Sequence, residues 1–373
     1  MKWAVRDLLN PVVTRSLLYG CDPFDMEYVL KQIDAIQVMS GRKIQAVWLG
    51  EWDSKIAHYT ELMTKAQTSG SAVSARAYAK LITVCHYAKY MINLEDIDRK
   101  KEIYNGLRES YRKYASLLPT RTEYIEIPSE SGTIPAYLHF PDDGTKSSYP
   151  CVVTYSGIGS CKEELEMLAE PLRERGIAVI CPDMPGTGAA LMDNGIKCGG
   201  ENLDAAIDGI YSYIRSRADI DIQRTGNYGL CMGGGYAFRA TVRQPVAKSC
   251  VSLFPLFINY SKLDSIPIWM KKGKWASYQY CDDFHASMEK IEEGTMKADF
   301  LMVQSDDDNW MTPEASERLW NKAEGHKERI QITEKPSYVS EETIMHSMPV
   351  GEQYHWVKHE AADFLSVRLG GAE

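Results

Sequence analysis

One segment of the sequence has the spacing of a nucleophile turn. Residues 229–233 read Gly-Leu-Cys-Met-Gly, after a short apolar run and before a helical pattern. In a nucleophile elbow the reactive side chain sits on a strained strand-to-helix turn, and glycines flank it because larger side chains would collide there. The central position usually holds serine, whereas this chain has Cys231. We therefore expect Cys231 to be the nucleophile of acyl chemistry.

The same glycine-rich turn could instead cradle a phosphate group. However, no Lys-Ser or Lys-Thr pair follows it, and its glycines lack dinucleotide spacing after the first strand of the sheet. The turn comes after the third parallel run of the predicted core, where a nucleophile elbow belongs. The sequence therefore favours a nucleophile over a phosphate site.

Two further groups would complete a triad in the chain order nucleophile, acid, histidine. The acid should follow a later strand, and an acidic run after such a strand predicts Asp308, with Asp307 as the runner-up. The base should precede the last helix, which predicts His346. A charged run is often only a solvated loop, and a lone histidine is more often structural, so the chain order carries this assignment.

Acyl chemistry also needs donors for the developing oxyanion. One is the backbone N–H of Met232, which follows the nucleophile, and the other should come from Ile158 or Gly157 in the loop after the first core strand. Tyr155, at the start of that loop, and Trp310, in the loop of the predicted acid, are candidate substrate-binding residues.

The elements around these residues predict a two-part chain. Apolar residues recur three and four positions apart over the first ~115 residues, which indicates helices. Residues 124–140 then alternate as a hairpin, and short apolar runs separated by helical stretches predict a mostly parallel sheet flanked by helices. We expect a helical N-terminal or cap domain over 1–118, a catalytic domain over 119–373 and a helical lid insertion around 257–297.

Composition limits the function classes. The net charge of −9 disfavours a nucleic-acid partner, and the chain shows neither a secretory signal pattern nor a long apolar run. The nine cysteines are scattered without metal-ligand spacing. We therefore expect a cytoplasmic protein with reduced thiols, without a metal or cofactor, whose partner is a small-molecule substrate rather than a membrane.

The segments 156–164 and 183–188, together with the cysteine elbow, resemble the capped α/β-hydrolases of the FrsA-like and 2,6-dihydroxypseudooxynicotine hydrolase group. The Lys-Glu-Glu at 162–164 is the more specific mark. This resemblance implies an α/β-hydrolase fold with an N-terminal helical domain over the active site. Members of the group cleave esters or carbon-carbon bonds beside ketones, some tailor polyketides, and several are dimers, so a homodimer is one expectation.

The chain departs from this group at Cys231, because its members normally carry serine. Cysteine elbows occur in dienelactone hydrolases and polyhydroxyalkanoate synthases, so the change is compatible with turnover. A thiolate paired with His346 is a strong nucleophile and a good leaving group, which suits thioesters, acyl transfer and activated carbonyls.

Three functional hypotheses follow. The first is hydrolysis of an ester, thioester or activated ketone of a small or polyketide-like substrate through an acyl-enzyme on Cys231, with His346 as base and then acid, and Asp308 holding its tautomer. The alternative is a secondary-metabolite tailoring acyltransferase or carboxylate-eliminating lyase on the same fold. The third is a binding or sensor protein in which Cys231 is a redox handle.

Overall fold

In the computed structural model, the chain forms two compact units, Met1–Pro119 and Thr120–Glu373. The residues that the structure describes are 3–36, 40–92, 94, 96–142, 148–255, 278–282, 294–306, 308, 311, 313–334, 349 and 351–371. The lid insertion predicted around 257–297 therefore lies mostly outside the described residues.

Within its described residues, the first unit consists of helices, which confirms the predicted N-terminal helical region. These are α1 (Trp3–Leu18), α2 (Pro23–Asp34), α3 (Gly41–Thr68), α4 (Ala72–Met91) and α5 (Ile97–Ala115). Polar caps begin three of them, since the side chains of Asp22, Ser40 and Asp96 accept hydrogen bonds from first-turn N–H groups. Local sequence signals therefore set several of the helix starts.

The aromatic stripes of the first unit form its core. The rings of Trp48 and Trp52 meet edge to face at 5.7 Å, and the Trp48 indole donates to the Ala88 carbonyl at 2.9 Å. Other large aromatic side chains that are fully buried are Tyr87, Tyr90, Tyr104 and Tyr111. Each buries an area on the order of 150–250 Å², so these side chains stabilise the packing of α3, α4 and α5.

The second unit contains the sheet. Its strands are β1 (Thr122–Ser129), β2 (Gly132–His139), β3 (Tyr149–Tyr155), β4 (Ala178–Pro182), β5 (Ile220–Leu230), β6 (Ser249–Leu253), β7 (Asp299–Ser305) and β8 (Lys327–Ile332). Its helices are α6 (Glu166–Arg173), α7 (Gly188–Met192), α8 (Gly200–Ser216), α9 (Met232–Arg243), α10 (Pro313–Asn321) and α11 (Glu352–Leu369). Each apolar run identified in the sequence from residue 151 onward overlaps one of these strands.

The described strands form one sheet in the order β1-β2-β4-β3-β5-β6-β7-β8. The predicted hairpin is β1 and β2, which pair antiparallel and close at Ser129 and Gly132, while the strands from β3 to β8 run parallel. Strand β3 is buried along its whole length, as expected for a central parallel strand covered on both faces. This topology confirms the predicted α/β-hydrolase fold.

The parallel strands bring their carboxyl ends to one edge of the sheet, where ligands bind in folds of this kind. The loop after β3, the turn after β5 and the loop after β7 all leave the sheet there. These three connections contain the predicted oxyanion loop, Cys231 and Asp308. The fold therefore places most of the predicted site on one edge.

Candidate active site

Cys231 occupies a strained turn between β5 and α9. Its φ of 56° and ψ of −127° lie in a region that L-residues rarely adopt. Its backbone N–H donates to the Leu253 carbonyl at 2.9 Å, and its own carbonyl accepts from the Gly234 N–H at 2.9 Å. Hydrogen bonds from the neighbouring strand and the following helix thus fix the backbone of this turn.

The glycines of the turn are required by close backbone approach. A Cβ on Gly229 would lie 1.9 Å from the Gly233 carbonyl oxygen, and a Cβ on Gly233 would lie 2.1 Å from the Tyr155 carbonyl oxygen. A Cβ on Gly157 would lie only 3.3 Å from the sulfur of Cys231. The loop after β3 therefore lies directly against the proposed nucleophile.

Five other cysteines of the second unit are fully buried, and none of them lies on the elbow turn: Cys151, Cys161, Cys181, Cys198 and Cys250. Burial is the main cause that raises the pKa of the Cys198 thiol to about 11, and of the Cys151 and Cys250 thiols to about 12. Burial likewise raises the pKa of Cys161 and Cys181. These five groups are protonated near neutral pH and fill space as small apolar residues.

Asp308 is buried in the loop after β7. It is 7% exposed, its N–H donates to the Ser305 carbonyl at 3.2 Å, and its Oδ1 accepts from the Met311 N–H at 3.1 Å. Asp306 is exposed and accepts from Gln331 on β8 at 2.6 Å. The two carboxylates are therefore placed differently, and Asp308 is the one held against the protein interior.

Three predicted residues lie outside the described part of the chain. These are His346, the runner-up acid Asp307, and Trp310. His346 stands in the chain between β8 and α11, while the later histidines His355 and His359 fall within α11. The base of the triad therefore remains a prediction from the sequence.

The two predicted sources of oxyanion donors meet at the elbow. Met232 is the first residue of α9, where backbone N–H groups have no partner within the helix, and its side chain is buried. In the loop after β3, Gly157 is buried and Ile158 half-buried, and the Ser160 N–H donates to the Gly157 carbonyl at 3.4 Å. This hydrogen bond closes a turn over residues 157–160.

The side chain of Tyr155 has a different role from the substrate binding that the sequence predicted. Its side chain is fully buried, and its hydroxyl donates to Oδ1 of Asn227 at 3.0 Å, as does the hydroxyl of Tyr211 at 3.1 Å. The Asn227 amide in turn donates to Thr241 on α9 at 2.9 Å. We therefore assign the Tyr155 side chain to a buried network that joins β3, β5, α8 and α9, and not to substrate binding.

Sequence reasoning gave no role to a group that we term the buried charge cluster, formed by Lys162, Glu163 and Asp183, all fully buried. The Lys162 ammonium lies 2.9 Å from carboxylate oxygens of both Glu163 and Asp183. Asp183 also accepts from the backbone N–H of Lys162 at 2.7 Å and of Ala189 at 2.8 Å. The cluster thus ties the loop after β3 to the loop after β4.

The electrostatics of this cluster favour a charged lysine. Burial alone would lower the pKa of Lys162, but the carboxylates of Asp183 and Glu163 outweigh burial and raise it. Gly188 lets Asp183 approach, because a Cβ there would lie 2.1 Å from its Oδ1. The sequence did carry a signal for this cluster. An acid, Asp183, comes directly after a strand, and a lysine and a glutamate, Lys162 and Glu163, follow the loop after the preceding strand.

No group of histidine, cysteine or acidic side chains in the described part of the chain is arranged to hold a metal ion. All nine cysteines fall in that part, and none is in a disulfide. Among the described helices, none is both long and apolar enough to cross a membrane.

Sheet order and elbow together define an α/β-hydrolase fold. The sequence matches the profile of the family described as esterase FrsA-like over residues 32–267, well over half of the chain. The chain therefore belongs to the FrsA-like esterase family.

Individual relatives agree with this assignment. The hydrolase ORFZ of Pyricularia oryzae is 28% identical over 249 residues, covering 62% of this chain and 57% of that protein. The 2,6-dihydropseudooxynicotine hydrolase of Paenarthrobacter nicotinovorans is 24% identical over 211 residues, covering 57% of this chain and 56% of that protein. The matches thus span a little over half the length of these relatives.

A solved structure shows the same fold. The crystal structure of a 2,6-dihydroxy-pseudo-oxynicotine hydrolase superposes with a TM-score of 0.76 over 95% of each chain, at 19% identity. At this level of identity the likeness concerns the fold. The chemistry has to be argued from the residues of this chain.

Proposed function

We propose that this protein is a hydrolase that cleaves an ester, thioester or activated ketone of a small or polyketide-like molecule through an acyl-enzyme on Cys231. The observation that carries the proposal is the position of Cys231, at a strained elbow with the loop after β3 packed against its sulfur. Strain of this kind in a non-glycine residue persists where the surrounding structure enforces it, and it concentrates at active sites.

The proposed reaction has two halves. His346 takes the proton of the Cys231 thiol, and the resulting thiolate attacks the carbonyl carbon. A carbon-sulfur bond forms, and the carbonyl electron pair moves to oxygen. Collapse of this intermediate restores the carbonyl and breaks the bond to the leaving group, which takes a proton from His346. Water, deprotonated by His346, then cleaves the acyl-enzyme, releases the acid and restores the thiol.

Two other groups support this route. Asp308 orients His346 and stabilises its protonated form, which suits a buried carboxylate held by the Met311 N–H. The backbone N–H of Met232 and that of Ile158 or Gly157 stabilise the oxyanion, a contribution of about 3–4 kcal/mol for a well-placed donor. Both relatives described above are hydrolases, and one is a 2,6-dihydropseudooxynicotine hydrolase, which agrees with a small-molecule substrate.

The test compares matched pairs of variants on p-nitrophenyl acetate and on a small acetyl thioester. Cys231→Ala should lose turnover by at least about 10³-fold, and Asp308→Asn by about 10²–10⁴-fold. The controls are Cys281→Ala, a half-buried cysteine, and Asp306→Asn, the exposed acid of the same run, and both should keep wild-type rates. Intact-mass analysis should find an acetyl adduct that Cys231→Ala lacks.

The outcomes separate the hypotheses. Turnover that persists in Cys231→Ala would reject the acyl-enzyme. For a cleaved substrate, hydrolysis incorporates one oxygen atom from labelled water into the acid product. Transfer of the acyl group to an added alcohol, or formation of an alkene, would point to the acyltransferase or lyase alternative. Labelling of Cys231 without turnover of any ester or thioester would favour a sensor.

A further inference from the structure

Two tyrosines converge on the residue that follows the nucleophile. The hydroxyl of Tyr236 donates to the sulfur of Met232 at 2.8 Å, and that of Tyr278 donates to the same sulfur at 3.1 Å. The Cys198 sulfur lies 3.1 Å from the Tyr236 hydroxyl. All four side chains are buried, with 7% exposure or less. We term this group the methionine clamp.

The backbone around Tyr278 is held by its own hydrogen bonds. The Cys198 N–H donates to the Gln279 carbonyl at 2.9 Å, the Cys281 N–H donates to the Cys198 carbonyl at 2.8 Å, and the Gln279 N–H donates to the Gly186 carbonyl at 3.1 Å. Gly186 is needed for this approach, because a Cβ there would lie 2.7 Å from the Gln279 carbonyl oxygen. The backbone next to Tyr278 is therefore held by the segments on both sides of α7.

The two tyrosines reach Met232 from different parts of the chain. Tyr236 lies one turn further along α9, whereas Tyr278 belongs to the segment 278–282, between β6 and β7. A thioether is a weak acceptor with a flexible stem, so Met232 by itself would sample several rotamers. Two buried donors on its sulfur select one of them. Because Met232 is the first residue of α9, a fixed side chain also restrains its backbone N–H.

We propose that Tyr236 and Tyr278 are positioning residues that act through the Met232 sulfur to hold the Met232 N–H toward the oxyanion. This inference rests on the proposed function, since it needs an oxyanion formed at Cys231. In this proposal the two hydroxyls act through the Met232 sulfur and not on the reacting atoms. Their contribution is to keep one donor aligned, which matters because small misplacements of catalytic groups cost large factors in rate.

The experiment compares two reactions of the same thiol in the full-length protein. Acylation of Cys231 by p-nitrophenyl acetate passes through an oxyanion, and it is measured as the p-nitrophenolate burst. Alkylation by iodoacetamide displaces iodide directly and forms no oxyanion, and it is followed by intact mass with Cys231→Ala as the blank. Loss of an entire oxyanion donor costs about 10²–10³-fold, so we expect Tyr278→Phe to slow acylation by about ten-fold. Alkylation should change by less than about two-fold, and the KM for the ester should change little.

Two further variants make the test specific. Tyr280→Phe is the matched control, because it removes the same hydroxyl two residues away in the same segment, and it should acylate at the wild-type rate. Met232→Leu keeps the volume but removes the acceptor sulfur. In that background Tyr278→Phe should have no additional effect on acylation, because both changes break the same contact.

The outcomes are distinct. Equal slowing of acylation and alkylation in Tyr278→Phe would show a general effect on the thiol and overturn the positioning role, as would acylation at the wild-type rate. Additive effects of Tyr278→Phe and Met232→Leu would also overturn it. A wild-type protein whose Cys231 is never acylated would overturn the proposed function together with this inference. Tyr236→Phe removes the other donor to the Met232 sulfur and should slow acylation in the same way as Tyr278→Phe. Should it fail to fold, the Tyr278 and Met232 variants still decide.

Discussion

The elbow and the buried charge cluster lie at the same edge of the sheet, but different forces hold them. At the elbow, Gly229 and Gly233 let backbone atoms approach so closely that a single added carbon would overlap a carbonyl. In the cluster, Lys162 and Asp183 are held by opposite charges and hydrogen bonds in a fully buried site. One region is defined by excluded volume and the other by charge.

This difference predicts which changes each region tolerates. The elbow should accept almost no added atom, whatever its polarity, because the energy of steric repulsion rises steeply as two atoms approach. The cluster should tolerate small changes of shape but not the loss of one charge, because an unpaired buried ion costs several kcal/mol. Together the two regions place the loop after β3 against Cys231. A disruptive substitution in either region should therefore also lower activity.

The largest effect is expected for Gly233→Ala. The added Cβ would lie 2.1 Å from the Tyr155 carbonyl oxygen, so the elbow has to open or the protein has to unfold. We expect a loss of stability above about 4 kcal/mol in urea unfolding, and loss of p-nitrophenyl acetate turnover.

The control for this variant is Gly50→Ala. Gly50 lies exposed within α3 and has no neighbouring atom within 4 Å of an added Cβ. Alanine there should be neutral or stabilising by up to about 1 kcal/mol. If Gly233→Ala were as stable and active as Gly50→Ala, the steric account of the elbow would be wrong.

The next effect is expected for Lys162→Met, which removes the cation and leaves Glu163 and Asp183 buried together. We expect a loss of about 3–5 kcal/mol in the free energy of unfolding, measured by urea titration at pH 7. The matched control is Lys31→Met, which breaks an exposed pair with Glu27 on α2 and should change stability by a few tenths of a kcal/mol at most. Equal losses in the two variants would show that burial does not set the strength of the cluster.

The smallest effect concerns His139, a fully buried histidine at the end of β2 whose ring nitrogen lies 3.8 Å from the Glu166 carboxylate. Burial, and then the nearby Arg173 guanidinium, hold the pKa of His139 well below its usual 6.5. Below pH 6.5 the unfolded chain therefore binds a proton that the folded chain excludes. Stability from this residue is complete above that pH and decreases as the pH falls.

The measurement is the free energy of unfolding from pH 7 to pH 5. Between pH 6 and pH 5 the wild-type protein should lose about 1.2 kcal/mol more than His139→Gln, which has no proton to exclude. His58→Gln, an exposed substitution on α3, should follow the wild-type slope. Parallel pH profiles for wild type and His139→Gln would contradict the assignment of a neutral buried histidine.

Much of the site could be predicted because its signals are local in the sequence. The spacing of Gly229 and Gly233 around Cys231 specifies a turn that other residues cannot form. The strand before Asp308 places an acid at the correct edge. The sequence favoured Asp308 by its position after the strand, but it could not show that Asp308 is buried and Asp306 exposed, because the two acids have the same chemistry and differ only in their three-dimensional neighbours.

The sequence by itself determined the fold class, the helical first unit, the strand runs and the cysteine at the elbow, since hydrophobic period and glycine spacing act over a few residues. Only the tertiary structure decided that Lys162 and Asp183 are buried partners, that Tyr155 serves the core, and that Tyr278 reaches the Met232 sulfur. The physical reason is that these contacts join residues far apart in the chain, and a charged or aromatic residue has the same sequence signature whether it is exposed, packed or functional.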